Sequence, residues 1–386
     1  MIKLTNVRPV TADGILEATA VYLDGEKIKA VGEKGLSFDV EIHGGGRYLA
    51  PGFIDTHVHG GGNADFMDGG VAPMVQAAKA HLAHGTTTIY PTTLSASPAD
   101  LLQAIDDFKA LKENRANEIL PNLPGMHFEG PYFAVSQCGA QPPHLITPPI
   151  EKDYKEMLAR AEGLIKKWSF APELPGALSF CDDLVKAGVM PCIGHTEATL
   201  EDVKAAYEHG AKSLTHFYSS MSTITRKDGY RIAGVVEAGY LLDGLLIEII
   251  ADGHHLPQPI LQMILKLIDN KRITPVTDAM RGASMPEGPS VLGKDWPCII
   301  EGGVAKMPDR KSFAGSVATA DRLLKTLVEI AGLSLPEASR LLSANSARAM
   351  GLTNKGLLCE GYDADLVLLN DDLSVESVFV MGKKAL

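Results

Sequence analysis

Eight short apolar segments, at 53–59, 86–91, 123–129, 168–172, 189–195, 211–216, 245–251 and 273–278, alternate with amphipathic helical stretches through the middle of this 386-residue chain. No other feature constrains the fold as strongly. Helical periodicity is clearest over 71–84, 98–112, 200–209 and 259–268. A helix between two strands carries the chain back along the sheet, so the strands it joins lie parallel. Eight such units are the number that closes a (β/α)8 barrel. An open doubly wound sheet is the competing arrangement, but no Gly-rich dinucleotide fingerprint follows an early strand. The pattern therefore predicts an α/β protein with a (β/α)8 TIM barrel over 51–352.

The two ends have a different character. Residues 18–23 and 27–31 read as strands around an Asp24-Gly25 turn, followed by Gly44-Gly45-Gly46. The last thirty or so residues repeat this, with Ala364-Asp365 leading into 366–369 and a further strand at 377–380. Apart, each end would leave open strand edges and too small a core. Residues 1–50 and 353–386 are expected to join into one small β-sandwich domain.

Composition narrows the function classes. Hydrophobic residues make up 45% and charged residues 22%, which is globular and excludes disorder. A net charge of −11 argues against nucleic acid or an anionic membrane as partner, while leaving room for a local basic pocket and an anionic small molecule. The start, Met1-Ile2-Lys3-Leu4, lacks a signal-peptide pattern, and no apolar run reaches membrane-spanning length. The cysteines Cys138, Cys181, Cys192, Cys298 and Cys359 are scattered without a CxxC, so neither a disulfide framework nor a thiolate zinc site is expected. A cytoplasmic setting follows.

Barrels of this kind carry their chemistry where the strands end. Side chains alternate along a strand, so His57 and His59 in Asp55-Thr56-His57-Val58-His59-Gly60 point the same way. The third strand ends on Glu129, the fifth on His195, the sixth on His216 and the eighth on Asp278. Imidazoles with a carboxylate suit zinc or iron(II). Such a cation polarises a carbonyl and activates water, and Asp278 is left to take the water's proton and return it to the leaving group. This is equipment for metal-assisted hydrolysis. Other residues carry plainer readings. His127 is expected to pack behind the site and His254 to point elsewhere. His81, His84 and His209 read as surface or capping groups on helices, and glycines 60–62 as a tight turn.

At these residues the chain resembles the amidohydrolase superfamily, and within it the members that deacetylate phosphorylated N-acetylamino sugars. The resemblance runs nearly end to end. It includes Pro51-Gly52-Phe53-Ile54-Asp55 with His57 and His59, Phe128-Glu129-Gly130-Pro131, Gly139-Ala140-Gln141, Gly194-His195-Thr196, Thr215-His216, Thr277-Asp278-Ala279 and Ala364-Asp365-Leu366-Val367. It implies a metal-dependent amidohydrolase barrel in which Glu129, His195 and His216 hold the principal divalent metal and Asp278 is the general acid/base. His57 and His59 match a second metal position that some members lack. Arg226 and His255 match contacts to the sugar phosphate, with Ser219, Ser220 and Gln141 completing the substrate pocket. A homodimer is implied as well, because members pair and contribute loops to the partner's pocket.

The departures lie at the substrate end. Tyr218-Ser219-Ser220-Met221 replaces the usual Asn-Ala-Met run, and Arg226 is joined by Lys227 and Arg231. Many amidohydrolases place a carboxylated lysine on the fourth strand, which here reads Trp168-Ser169-Phe170-Ala171-Pro172. The expected reaction is release of acetate from N-acetylglucosamine 6-phosphate, with a galacto-configured or unphosphorylated acetamido sugar as the alternative. Deamination of a ring amine is a rival; such deaminases add a glutamate three residues beyond a strand-end histidine, where this chain has Ala198. A non-catalytic metal-binding scaffold would have no physical reason to keep Asp278 with the histidines.

Overall fold

The computed structural model describes residues 1–113, 118–293 and 295–386, and eight parallel strands form its centre. They are β1 (Phe53–Val58), β2 (Thr86–Thr93), β3 (Met126–Glu129), β4 (Ile165–Phe170), β5 (Met190–Ile193), β6 (Ser213–Leu214), β7 (Leu246–Ile250) and β8 (Ile273–Val276), hydrogen-bonded in that order. The ring closes between β8 and β1. The Asp278 amide donates to the His57 carbonyl at 2.9 Å, and the His59 amide to Ala279 at 2.8 Å. The buried Asp55 carboxylate adds a side-chain link, accepting from the Thr277 hydroxyl at 2.5 Å. Each strand is followed by a helix: α1 (Val71–Leu82), α2 (Pro98–Glu113), α3 (Glu151–Ala161), α4 (Ala177–Lys186), α5 (Leu200–Glu208), α6 (Val235–Leu241), α7 (Gln258–Leu267) and α8 (Ala320–Lys325).

All eight segments expected as barrel strands are barrel strands, with one instructive shift. β4 begins at Ile165, before the expected start at Trp168. Two lysines, Lys166 and Lys167, hide its apolar alternation, yet Lys167 is almost fully buried inside the barrel. Trp168 and Phe170 face the other way and pack on Phe180 of α4. The Trp168 indole N–H donates to the Gly130 carbonyl at 2.8 Å, which fixes the turn directly after Glu129.

Strands from both ends of the chain meet in one sheet. Ile2–Thr11 pairs with Thr19–Asp24 and Val40–His43 along its first half and with Tyr48–Pro51 along its second. Leu366–Leu369 then pairs antiparallel with Tyr48–Pro51 on one side and with Val375–Val380 on the other. The two halves share a core of Leu4, Val21, Leu23 and Ile28 with Leu49, Leu366, Leu368 and Phe379. Because Tyr48–Pro51 runs through Gly52 straight into β1, this sheet anchors the strand that carries His57. Gly52 has no alternative: a Cβ there would lie 2.1 Å from the Thr87 hydroxyl.

The alternating pattern does not reveal two insertions. A hairpin, Thr225–Lys227 with Tyr230–Ile232, stands between β6 and α6. A three-stranded antiparallel sheet, Gly288–Leu292, Trp296–Glu301 and Val304–Lys306, stands between β8 and α8. Both rise from strand C-terminal ends, the side on which the candidate site lies.

Truncating Phe379 to Ala should cost about 3–5 kcal/mol, the usual range for a buried aromatic. A urea midpoint unchanged from that of the wild type would show that the shared core of the terminal strands does not hold this sheet together.

Candidate functional site

Glu129, the last residue of β3, sits between two pairs of histidines. Its Oε1 lies 2.9 Å from His216 Nε2 and 3.2 Å from His195 Nε2. Its Oε2 lies 3.3 Å from His59 Nε2. The facing ring nitrogens are 3.0 Å apart in the His195/His216 pair and 3.3 Å apart in the His57/His59 pair. Two donor sets, His57/His59/Glu129 and Glu129/His195/His216, thus share one carboxylate, and every member is buried. The structure brings together every residue that the sequence reading assigned to the metal.

The donor chemistry fits a cation. His195 Nδ1 lies 2.8 Å from the Gln137 carbonyl, which only accepts, so the proton sits on Nδ1 and the Nε2 lone pair faces Glu129. His57 Nδ1 lies 2.7 Å from the Glu248 carboxylate, with the same consequence. Lone pairs and carboxylate oxygens converging at these distances repel one another unless a proton or a metal ion lies between them. The pull on protons is large. Burial opposes charge on His59, but Asp278 and Glu129 outweigh it and bring its pKa up to about 9. A site that draws protons so strongly through neutral-imidazole geometry is one a divalent cation occupies in their place.

Behind His57 lies a feature the sequence reading missed. Glu248 of β7 accepts from His57 and also forms an ion pair with Lys167 of β4, all three side chains being buried. Burial alone would neutralise Glu248, but Lys167 and then His57 bring its pKa down to about 2. Burial likewise works against the Lys167 charge, and Glu248 more than offsets it, so the ammonium ends above its usual pKa. The lysine is therefore present on the fourth strand after all, but as the counter-ion of a carboxylate that orients a histidine. A lone glutamate in the apolar run Leu245-Leu246-Ile247-Glu248-Ile249-Ile250 was the available signal.

Asp278 stands over the other pair, its Oδ1 3.1 Å from His59 Nε2 and 3.2 Å from His57 Nε2. Burial favours its neutral form, but His57 and His59 hold its pKa below the usual value. The backbone is strained here: His195 (φ 48°), His216 (φ 33°) and Asp278 (φ 48°) all adopt left-handed conformations. Such strain persists only where the surroundings fix it, and it concentrates at functional sites.

These groups floor a cavity of about 190 Å³ whose walls include Ser219, Ser220, His255 and Gln141. His255 is oriented by Asp252, which accepts from its Nδ1 at 2.8 Å. Gln141 has its carboxamide engaged at both ends, accepting from the Ser95 amide at 2.7 Å and donating to Glu129 Oε2 at 2.6 Å. It thereby orients the carboxylate while also lining the cavity. Gly139 borders the same cavity, where a Cβ would meet the Ser220 hydroxyl at 2.9 Å. Arg226 is not among the lining residues; it is exposed on the hairpin after β6.

Of the histidines given plainer readings, His127 packs edge-on to His57 at 4.4 Å and bonds Ser169, as expected. His84 pairs with Asp321 and His209 with Asp182. His81 is a correction. It is fully buried, held near pKa 4 by burial, and lies 2.8 Å from the Gly60 carbonyl. The α1 periodicity did not show this because the partner is a backbone group distant in sequence. His81 pins the glycine turn that follows the His57/His59 pair.

The amidohydrolase family model matches residues 48–385. An N-acetylglucosamine-6-phosphate deacetylase of Lysinibacillus sphaericus is 32% identical over 98% of this chain and 96% of that protein. An N-acetylgalactosamine-6-phosphate deacetylase of Escherichia coli O157:H7 is 31% identical over 87% of each. The crystal structure of an N-acetyl-D-glucosamine-6-phosphate deacetylase from Mycobacterium smegmatis superposes with a TM-score of 0.91 at 31% identity, covering all of both chains.

Replacing Glu248 with Gln should leave Lys167 without its counter-ion and loosen His57, lowering metal affinity about 10–100-fold. Competition with a chelator measures this directly; an affinity equal to wild type would remove Glu248 from the support of the site.

Proposed function

The chain belongs to the amidohydrolase family, and from that footing we propose that it hydrolyses the acetamide of N-acetylglucosamine 6-phosphate to glucosamine 6-phosphate and acetate. The observation that carries the reading is Glu129 shared between two histidine pairs with Asp278 poised over one of them. Similarity to deacetylases over nearly the whole chain supports the substrate class.

Glu129, His195 and His216 would hold a divalent cation, zinc or iron(II), which when bound would supply polarisation of the amide carbonyl and a water pKa lowered toward ~7. His57 and His59 provide for a second ion. Asp278 takes the proton from the attacking water and delivers it to the amine nitrogen as the C–N bond breaks. Gln137, Gln141 and Glu248 hold the ring nitrogens and the Glu129 carboxylate in the orientation this requires. His255 and the serines Ser219 and Ser220 receive the sugar. A galacto-configured sugar is the second reading, favoured by the similarity to the Escherichia coli relative. Five unpaired thiols support a cytoplasmic setting, and no helix among the described residues is long and apolar enough to cross a membrane.

The working unit in this reading is a homodimer. Arg226 stands on an exposed hairpin beside Lys227, Arg231 and Tyr230, the last 75% exposed, away from its own cavity. In such a dimer the hairpin of one subunit would bring the Arg226 guanidinium to the cavity of the other, to bind the phosphate in bidentate fashion.

Asp278→Asn should lower turnover by ~10²–10⁴-fold while metal content stays near that of the wild type. Free-acetate assays with metal analysis decide this, and turnover within a few-fold of wild type would exclude Asp278 as the proton carrier.

Arg226→Ala should lose ~10–100-fold in kcat/KM on the phosphorylated sugar and little on the unphosphorylated one, as expected for charge-assisted bonds of ~1.5–3 kcal/mol. Mixing Arg226→Ala with Asp278→Asn subunits should restore about a quarter of the activity, because half of a random mixture is heterodimer with one complete site. No recovery on mixing, or a monomeric mass by light scattering, would place Arg226 outside a shared site.

A further inference from the structure

Beside the cavity at Glu129 lies a second one of about 360 Å³, larger than the first and adjoining it at the wall residues Leu94, Ala140 and Leu292, which line both. Its remaining walls are largely apolar, with Met67, Ala96, Leu145 and Trp296 prominent. Among the described residues that also line it, His144 and Asp295 are exposed and Asp100 is half-buried. Ser95 lines it as well, its hydroxyl buried without a partner.

Resting on the deacetylase reading above, we propose that this second cavity is an acyl tunnel, and that the protein hydrolyses amides of the same sugar phosphate whose acyl chains are longer than acetyl. A substrate amide has two ends that can enter an adjoining cavity. The sugar end carries a hydroxyl on almost every carbon, and desolvating those groups against Met67, Leu94, Leu292 and Trp296 would leave them unpaired. The acyl end is hydrocarbon, and each methylene moved from water into such a wall gains about 0.8 kcal/mol, roughly fourfold in affinity. The reaction is otherwise unchanged: the water oxygen bonds the acyl carbon, the C–N bond breaks, the amine takes the proton, and a longer carboxylate leaves.

The test uses the full-length, metal-loaded protein with N-acetyl-, N-propanoyl-, N-butanoyl- and N-hexanoylglucosamine 6-phosphate, following release of the free amine. KM should fall about fourfold per added methylene as far as butanoyl. Ala96→Phe and Leu145→Trp, two independent ways of filling the second cavity, should raise KM for the hexanoyl compound at least about tenfold. Both should leave acetyl turnover within about twofold, with thermal melting confirming that they fold. Normal acetyl turnover with a loss of more than about 100-fold on the butanoyl compound, as a closed acyl pocket would give, overturns the inference and leaves the deacetylase reading standing. Equal losses on acetyl and hexanoyl substrates in both variants also overturn it. So does a gain in affinity seen instead with a 1-O-hexyl N-acetyl sugar phosphate, since the cavity would then serve the sugar end. If the acetyl compound itself is not hydrolysed, the deacetylase reading fails and this inference fails with it.

Discussion

The convergence of one carboxylate and four imidazoles in the barrel mouth is the constraint on which the rest of this structure depends. Burying Glu129 is costly unless its charge is matched, and the histidines that would share a matching proton or cation with it come from the ends of β1, β5 and β6. The barrel makes this possible by bringing strand ends far apart in sequence to one rim. Each imidazole must also present a lone pair inward, so each ring whose outer nitrogen is bonded relies on a further group, a carbonyl for His195 and Glu248 for His57. Glu248 in turn keeps its charge because Lys167, and then His57, lie beside it. The interior of the barrel is therefore organised as successive shells of compensating charge around one point.

The same logic explains where the chain accepts strain. His195, His216 and Asp278 turn their backbones into the left-handed region just as their strands end. These turns aim His195 and His216 at Glu129 and Asp278 at His57 and His59. Packing behind these residues holds the turns: Phe133 stacks on the His195 ring at 4.4 Å, and Trp168 clamps the Gly130 carbonyl. Gly52, Gly60 and Gly139 occur where a Cβ would collide with a neighbour next to the site.

The terminal strands and the two insertions divide the remaining work. The sheet built from both chain ends holds Tyr48–Pro51 and hence β1 in register with β2. The hairpin after β6 and the three-stranded sheet after β8 stand at the open end, where they shape what enters. Leu292 of that sheet belongs to the wall common to both cavities.

Some of this was legible in the sequence, because it is written in local periodicity. The alternation of strand and helix fixes a parallel eight-stranded barrel, and the period-two spacing of His57 and His59 sets them on one face. The rule that such barrels act at strand C-terminal ends selects Glu129, His195, His216 and Asp278 from among many acids and histidines. Tertiary structure alone decided the rest, because it depends on pairings between distant residues. Lys167 lay outside the expected fourth strand, and its pairing inside the barrel with Glu248, 81 residues away, left no trace in local periodicity. His81 looked like a helix-surface group until the Gly60 carbonyl claimed it. Gln141 lines the cavity, and only the fold reveals that its carboxamide also joins the Ser95 amide to Glu129. Period and spacing determine which face a side chain takes; which charge or hydrogen bond meets it there is settled only when the barrel closes.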